Sequence, residues 1–174
     1  MAVKYEIAWN ELTAIEPTLD EVRAQLGQLA NAYNDPRNAP LLGHEELLSE
    51  TEVLEVYQAM FDAGARPFLL FRDGVLAGDG DLRGISGGCA EFAFLIASPD
   101  AQGKGLGTRF ATMLHAFGFD TLGLDRIYAS VVPHNVASRR VFEKLGYRED
   151  ATTDIRGGET CNIPGKLYWV PENK

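Results

Sequence analysis

A glycine-rich loop between a strand and a helix constrains this chain more than any other feature. The apolar run AEFAFLIA at 90–97 predicts a buried strand, and QGKGLG at 102–107 leads directly into a predicted helix. The first amides of a helix have no partner within it and lie at the positive end of its dipole. Glycines let the backbone approach a ligand closely. The loop therefore predicts an anion site in which main-chain N–H groups hold a phosphate.

The glycine spacing excludes two common phosphate-binding motifs. A dinucleotide-binding loop needs Gly-x-Gly-x-x-Gly, but counting from Gly103 the last position is Thr108. A nucleotide hydrolase needs Gly-x-x-x-x-Gly-Lys-Ser/Thr, and no such run occurs in the sequence. The motif that is present reads Gln-x-x-Gly-x-Gly, from Gln102 to Gly107.

The order of the predicted elements indicates a mixed α/β fold. Thr18 with Glu21 forms a capping box that starts the first helix, and Pro36 and Pro40 interrupt a loop at 34–43. The order predicts one central mixed sheet, partly antiparallel and flanked by helices, in a single domain over residues 1–174. We predict helices at 18–33, 44–63, 108–122 and 135–145, and strands at 3–9, 67–72, 75–82, 90–97, 126–132, 147–155 and 166–170.

Composition limits the partners that we expect. Asp and Glu number 25 against 16 Lys and Arg, a net charge of −9, so no nucleic-acid partner is expected. The charge suits a cationic substrate, although many proteins are acidic only for solubility. No apolar run is long enough for a membrane span. Cys89 and Cys161 lack metal-ligand spacing, so we predict free thiols, no metal and a cytoplasmic location. We assign no chemical role to His115, which we expect on a helix surface.

A second segment with a recognisable pattern lies further along the chain, at 133–147. PHNVASRRVFEKLGY at 133–147 follows a predicted central strand. With the Gln-x-x-Gly-x-Gly loop, its Asn-x-x-Ser and Glu-Lys-Leu-Gly-Tyr runs resemble the GNAT N-acetyltransferase superfamily, and most of all its RimJ/RimL-like branch. The resemblance is close from 67 to about 156 and looser elsewhere. It implies the GNAT acyl-CoA N-acyltransferase fold, with acetyl-CoA as cosubstrate and a primary amine as acceptor.

The resemblance also implies where acetyl-CoA lies. The sheet is expected to splay near Ile96, with the pantetheine arm along the strand and the diphosphate on the loop amides. A backbone N–H near Ile96 or Ala97 is the expected oxyanion donor. Asn135 begins a helix, where it can cap the helix, contact the pantetheine, or do both. The expected cofactor-binding residues are Leu95, Ile96, Ala97, Gln102, Gly103, Lys104, Gly105, Leu106, Gly107, Thr108, Asn135 and Ser138.

Direct acetyl transfer to an amine needs a base for the ammonium and a group that assists the leaving thiolate. Glu91, a carboxylate inside an apolar strand, is the favoured base acting through water, and Asp154 is its rival. Many family members place a Tyr acid where this chain has Phe142, so Ser138 is expected to bond the cofactor sulfur. Each of the three also has a structural reading: a surface or edge Glu, a solvated turn Asp, and a small Ser against helix backbone.

Phe142 leaves a second function open. A chain without the Tyr could be a catalytically silent acyl-CoA-binding sensor or regulatory module of the same fold. For an active enzyme, the acceptor is predicted to be a protein N-terminus or a small cationic amine. The loop at 34–43 is expected to shape the acceptor pocket, and a homodimer is compatible with the resemblance.

Overall fold

The computed structural model describes residues 4–42, 46–97, 101–132, 134–149 and 159–164. Contacts divide the chain into two compact units, Met1–Asp81 with Phe94–Gln102, and Leu82–Ala93 with Gly103–Lys174. That residues 1–174 form a single domain stays a prediction. The strands are β1 Glu6–Trp9, β2 Leu12–Ile15, β3 Arg66–Arg72, β4 Val75–Ser86, β5 Cys89–Ile96, β6 Arg126–Val131, β7 Arg148–Glu149 and β8 Glu159–Pro164. The helices are α1 Leu19–Arg23, α2 Leu26–Asn34, α3 Ala39–Leu42, α4 Glu50–Asp62, α5 Leu106–Ala116 and α6 Val136–Lys144.

The first unit begins with a hairpin that the sequence pattern did not predict. β1 and β2 pair antiparallel from Glu6↔Ile15 to Trp9↔Leu12, and β2 continues into antiparallel pairs with β3. The turn between β1 and β2 contains Asn10 at φ 54°, a left-handed conformation in which Asn is several-fold enriched. We predicted one strand at 3–9 and missed β2, because its four residues are too few to show a clear alternation.

Capping boxes set the starts of two helices. Thr18 caps α1 and Glu21 closes its capping box, as predicted, but the predicted helix at 18–33 is divided into α1 and α2. Ser49 and Glu52 form a second capping box that starts α4. This signal was missed, so the helix predicted from 44 begins at Glu50 instead. In each box the side chains satisfy amides that have no partner within the helix.

The core of the first unit lies between its helices and strands. Side chains from α1, α2 and α4 pack on those of β3 and β4 and exclude water from a shared apolar cluster. Burying apolar surface in this way is the main force that holds the layers together. The buried members of the cluster are Val22, Leu29, Ala30, Val53, Tyr57, Leu69 and Leu76.

The second unit contains a sheet of both parallel and antiparallel pairs. Within this unit, β5 pairs parallel with β6 over Cys89–Glu91, while β8 pairs antiparallel with β6 and β7. This mixture confirms the predicted mixed α/β class. β7 covers Arg148–Glu149, and β8 covers 159–164, where we placed no strand. The strand predicted at 166–170 and the catalytic candidate Asp154 lie outside the described residues.

The helix after the glycine loop changes its hydrogen-bond pattern near its end. α5 covers Leu106–Ala116 and continues as a π-helical turn at Phe117–Thr121, where the Leu122 N–H donates to the Phe117 carbonyl (3.1 Å). A Cβ added at Gly118 would lie 2.9 Å from Cδ1 of Ile127, so glycine lets this turn approach β6 closely. Within the described ranges, the helices are too short or too polar to cross a membrane.

Candidate functional site

The loop before α5 has the backbone conformation that its glycines predict. Gly103 and Gly105 have φ values of 75° and 78°, in the left-handed region that favours glycine. Gly105 is the N-cap of α5, and no side chain caps the helix there. The Arg109 N–H donates to the Gly105 carbonyl (3.1 Å), so the amides of 106–108 precede the first intrahelical bond. The structure therefore presents a helix N-terminus of the kind that binds anions.

At the end of β5, the backbone N–H and C=O of Ile96 point away from β4. The Ala97 N–H donates to the Ala77 carbonyl of β4 (2.8 Å). In an extended strand the N–H and C=O of one residue point to the same edge and those of the next residue to the other, so the Ile96 N–H and C=O point away from β4. The Ile96 carbonyl accepts a hydrogen bond from Gln102 Nε2 (3.1 Å). Of the two predicted oxyanion donors, the Ala97 amide is thus already used, whereas the Ile96 amide points away from β4.

The Gln102 side chain is held by a residue that the sequence analysis did not single out. Gln102 Nε2 also donates to Asn38 Oδ1 (3.1 Å), and Asn38 Nδ2 donates to the Ala32 carbonyl (2.9 Å). Asn38 is only 1% exposed, although the segment at 34–43 was predicted to be a loop. An Asn in a loop is common, so the sequence carried no signal that distinguished it.

Glu91 lies on the less buried face of β5. The parallel register pairs Glu91 with Tyr128 of β6, and Glu91 is half-buried while Ala90 and Phe92 are buried on the opposite face. Burial, then the charge of Glu91 and the neighbouring Cys89, raises the pKa of Tyr128. Since alternate residues of a strand share a face, Glu91 and Leu95 point to the same side of β5.

The start of α6 brings Asn135 and Ser138 together. The Ser138 N–H donates to Asn135 Oδ1 (3.1 Å), so Asn135 caps the helix, one of the two roles that the sequence left open. Ser138 is half-buried. Phe142 is buried, with its ring centroid 4.7 Å from that of Tyr147 and 6.2 Å from that of Phe92. The ring at the usual Tyr position is therefore part of an aromatic cluster.

Two buried carboxylates on β4 were missed by the sequence analysis. Asp79 and Asp81 are 6% and 5% exposed. Asp79 Oδ2 accepts hydrogen bonds from the hydroxyl groups of Tyr57 (2.6 Å) and of half-buried Tyr33. Burial, and then the charge of Asp79, holds the pKa of both phenols well above the usual value. The alternating Asp residues in the run GDGD, inside a predicted strand, were the available signal.

His115 is buried rather than on the helix surface, where the sequence analysis placed it. The side chain is fully enclosed, and Nδ1 lies 2.6 Å from the Ala111 carbonyl, which assigns the ring proton to Nδ1. Nε2 therefore accepts from the Tyr147 hydroxyl. Burial lowers the pKa of His115 to about 4. Hydrogen bonds to both ring nitrogens allow this polar side chain to lie in the core.

His115 should make the protein less stable in mild acid. The unfolded chain takes up a proton near pH 6.5, whereas the folded pKa is about 4, so stability is full above pH 6.5 and is lost as the pH falls between these values. From pH 7.5 to pH 5 we expect the free energy of unfolding in urea to decrease by about 2 kcal/mol. The His115→Gln variant should lack this part of the pH dependence; equal slopes for the two proteins would contradict the assignment.

The fold is of the mixed α/β class, and its glycine loop ends in a helix N-terminus that no side chain caps. The family described as the acetyltransferase (GNAT) domain matches residues 18–148, which is most of the chain. The chain therefore belongs to the GNAT acetyltransferase family, as its motifs indicated.

The relatives include enzymes named for polyamines. Spermidine N(1)-acetyltransferase of Escherichia coli (strain K12) is 35% identical over 99 residues, which cover 55% of this chain and 53% of that protein. The chain spans about half or less of the length of the curated relatives that it matches.

Solved structures share the fold. Spermidine N-acetyltransferase from Vibrio cholerae, in complex with CoA and spermine, has a TM-score of 0.76 at 23% identity, covering 91% of this chain and 99% of that one. Mycobacterium smegmatis RimJ, in complex with CoA-disulfide, has a TM-score of 0.71 at 19% identity, covering 88% and 81%. These similarities confirm the predicted GNAT fold.

Proposed function

We propose that this protein transfers the acetyl group of acetyl-CoA to a primary amine of a small cationic molecule. The observation that carries the proposal is the N-terminus of α5, where left-handed Gly105 precedes amides that no side chain caps. The family match extends over this loop. A cytoplasmic location and a homodimer stay predictions.

The residues present fit coenzyme A. The amides of 106–108 would hold the diphosphate, and the exposed Lys104 beside them adds a positive charge. The Ile96 N–H, which points away from β4, would donate to the acyl oxygen and stabilise negative charge that develops on it. Asn135 and Ser138 at the start of α6 would contact the pantetheine and the sulfur. Acetyl-CoA would supply the acyl group and a thiol leaving group.

Glu91 is our proposed base. It lies on the same face of β5 as Leu95 but several residues before Ile96, so a proton from the ammonium would reach it through water. Asp154 stays a rival proposal.

Negative charge supports a cationic acceptor. The whole chain carries a net charge of −9, which favours the approach of an ammonium group. The E. coli relative is named for spermidine, which is a cation of this type. The charge argument supports a protein N-terminus, the other predicted acceptor, less strongly because that group carries only one positive charge.

Thiol release from acetyl-CoA tests the proposed function directly. With a panel of polyamines, aminoglycosides and peptides, we expect amine-dependent release that is fastest with a small polycation. Glu91→Gln should lower kcat about 100-fold at pH 6.5 and less at pH 9, because the free amine is more abundant at high pH and needs the base less. Glu55→Gln, a substitution at an exposed position on α4, is the matched control and should leave kcat unchanged.

Three results would contradict parts of this proposal. CoA binding without release on any amine would favour the silent sensor that Phe142 left open. Thiol release that is fastest with peptides would indicate a protein N-terminus, and not a small cation, as the acceptor. An equal loss for Glu91→Gln at every pH would remove Glu91 as the base.

A further inference from the structure

The Ile96–Ala97 peptide is held from both sides. Its C=O accepts from Gln102 Nε2 (3.1 Å), and its N–H donates to the Ala77 carbonyl (2.8 Å). The Ile96 N–H belongs to the preceding peptide group, which meets this one at the Ile96 Cα, so a shift of the Ile96–Ala97 peptide displaces that N–H as well. The hydrogen bond that Gln102 makes therefore helps to hold the Ile96 N–H in place.

Gln102 cannot hold the peptide by itself. Gln102 is exposed, and a long exposed side chain loses conformational entropy when it adopts one rotamer. Asn38 supplies the second contact, since its Oδ1 accepts from the same Nε2 (3.1 Å). Asn38 is itself fixed, being 1% exposed and bonded through Nδ2 to the Ala32 carbonyl at 2.9 Å. The carboxamide of Gln102 is thus oriented by a rigid partner.

We propose that Asn38 is a positioning residue for acetyl transfer, which orients Gln102 so that the Ile96 amide faces the reacting carbonyl. The inference rests on the proposed function and extends it to the segment between α2 and α3. Asn38 would touch neither substrate, and its effect would pass entirely through Gln102. It should therefore affect the chemical step more than coenzyme A binding, because the amides that would hold the diphosphate belong to α5 itself.

Steady-state kinetics and calorimetry with coenzyme A test this inference. In Asn38→Ala we expect kcat to fall about tenfold, the effect of one lost hydrogen bond at a reacting group. The Kd of coenzyme A should stay within about threefold of the wild-type value, since no proposed contact to it is lost. Gln102→Ala should reproduce the loss of kcat, and adding Asn38→Ala to it should cause no further loss.

A matched control separates positioning from stability. Ser49 caps α4, where its hydroxyl accepts from the Glu52 N–H (3.2 Å). Ser49→Ala should lower the melting temperature yet leave kcat unchanged.

The possible failures are distinguishable. A wild-type protein that binds coenzyme A but releases no thiol would overturn the proposed function. An active wild type with additive losses in the double variant, or an unchanged kcat in Asn38→Ala, would overturn the role of Asn38. If Asn38→Ala does not fold, an unchanged kcat in Gln102→Ala would overturn the role of Asn38 instead.

Discussion

Gly105→Val should weaken the binding of coenzyme A about 1000-fold. Gly105 has φ 78° at the N-cap of α5, and a β-branched side chain disfavours this conformation strongly. The variant should turn the peptide and move the first amides of the helix away from the diphosphate. The loss of two charge-assisted hydrogen bonds, at about 2 kcal/mol each, accounts for the size of the effect. Isothermal titration calorimetry with coenzyme A measures it.

Gly64→Val is the matched control for this experiment. Gly64 follows α4 with φ 74°, and a Cβ there would meet nothing within 4 Å, as at Gly105. Both variants should therefore lose a similar amount of stability from backbone strain, about 1–2 kcal/mol. Only Gly105→Val should lose affinity for coenzyme A. Equal affinities in the two variants would show that the loop does not hold the diphosphate.

Gly78→Ala should destabilise the protein by at least about 3 kcal/mol, which corresponds to a melting temperature lower by about 10 °C. A Cβ at this position of β4 would lie 2.2 Å from the Leu95 carbonyl oxygen and 3.2 Å from the Ile96 Cα. These are backbone atoms of β5, so no side-chain rotation can relieve the overlap. The shift of β5 should also displace the Ile96 amide and reduce thiol release. Urea unfolding and the kinetic assay measure the two effects.

Gly27→Ala makes the same chemical change with the opposite expected sign. Gly27 lies in α2, and its added Cβ would meet Glu50 Oε1 at 3.5 Å, an ordinary contact. Alanine favours the helix, so stability should rise by about 0.5 kcal/mol. A comparable loss of stability in both variants would show that Gly78 is not a special position.

The elements with local physical signals were predictable. The run QGKGLG required left-handed glycines before a helix, and Gly103 and Gly105 have that conformation. The Thr18 capping box placed the start of α1, because its hydrogen bonds lie within one turn. β2 was missed because four residues carry little periodicity, and it is specified by pairing with β3, far along the chain.

The candidate site was predicted only in its sequence-local parts. The loop and the start of α6 were found from motifs, and Asn135 does cap its helix. Asn38 and Asp79 were not found from motifs, because their partners are distant in the sequence. Gln102, which bonds Asn38, lies 64 residues away from it, and Tyr57, which bonds Asp79, lies 22 residues away. His115 looked like a surface residue, since its burial depends on Tyr147, a partner 32 residues distant.

Residue order alone was enough to predict the class of fold, the family and the helix N-terminus suited to a diphosphate. These depend on short-range features, namely glycine conformation, capping and the alternation of apolar residues, which act over a few neighbouring residues. The folded chain was needed to see which amide at 95–97 is already used and which side chain bonds Gln102. These depend on hydrogen bonds between distant segments, whose partners the folded backbone chooses.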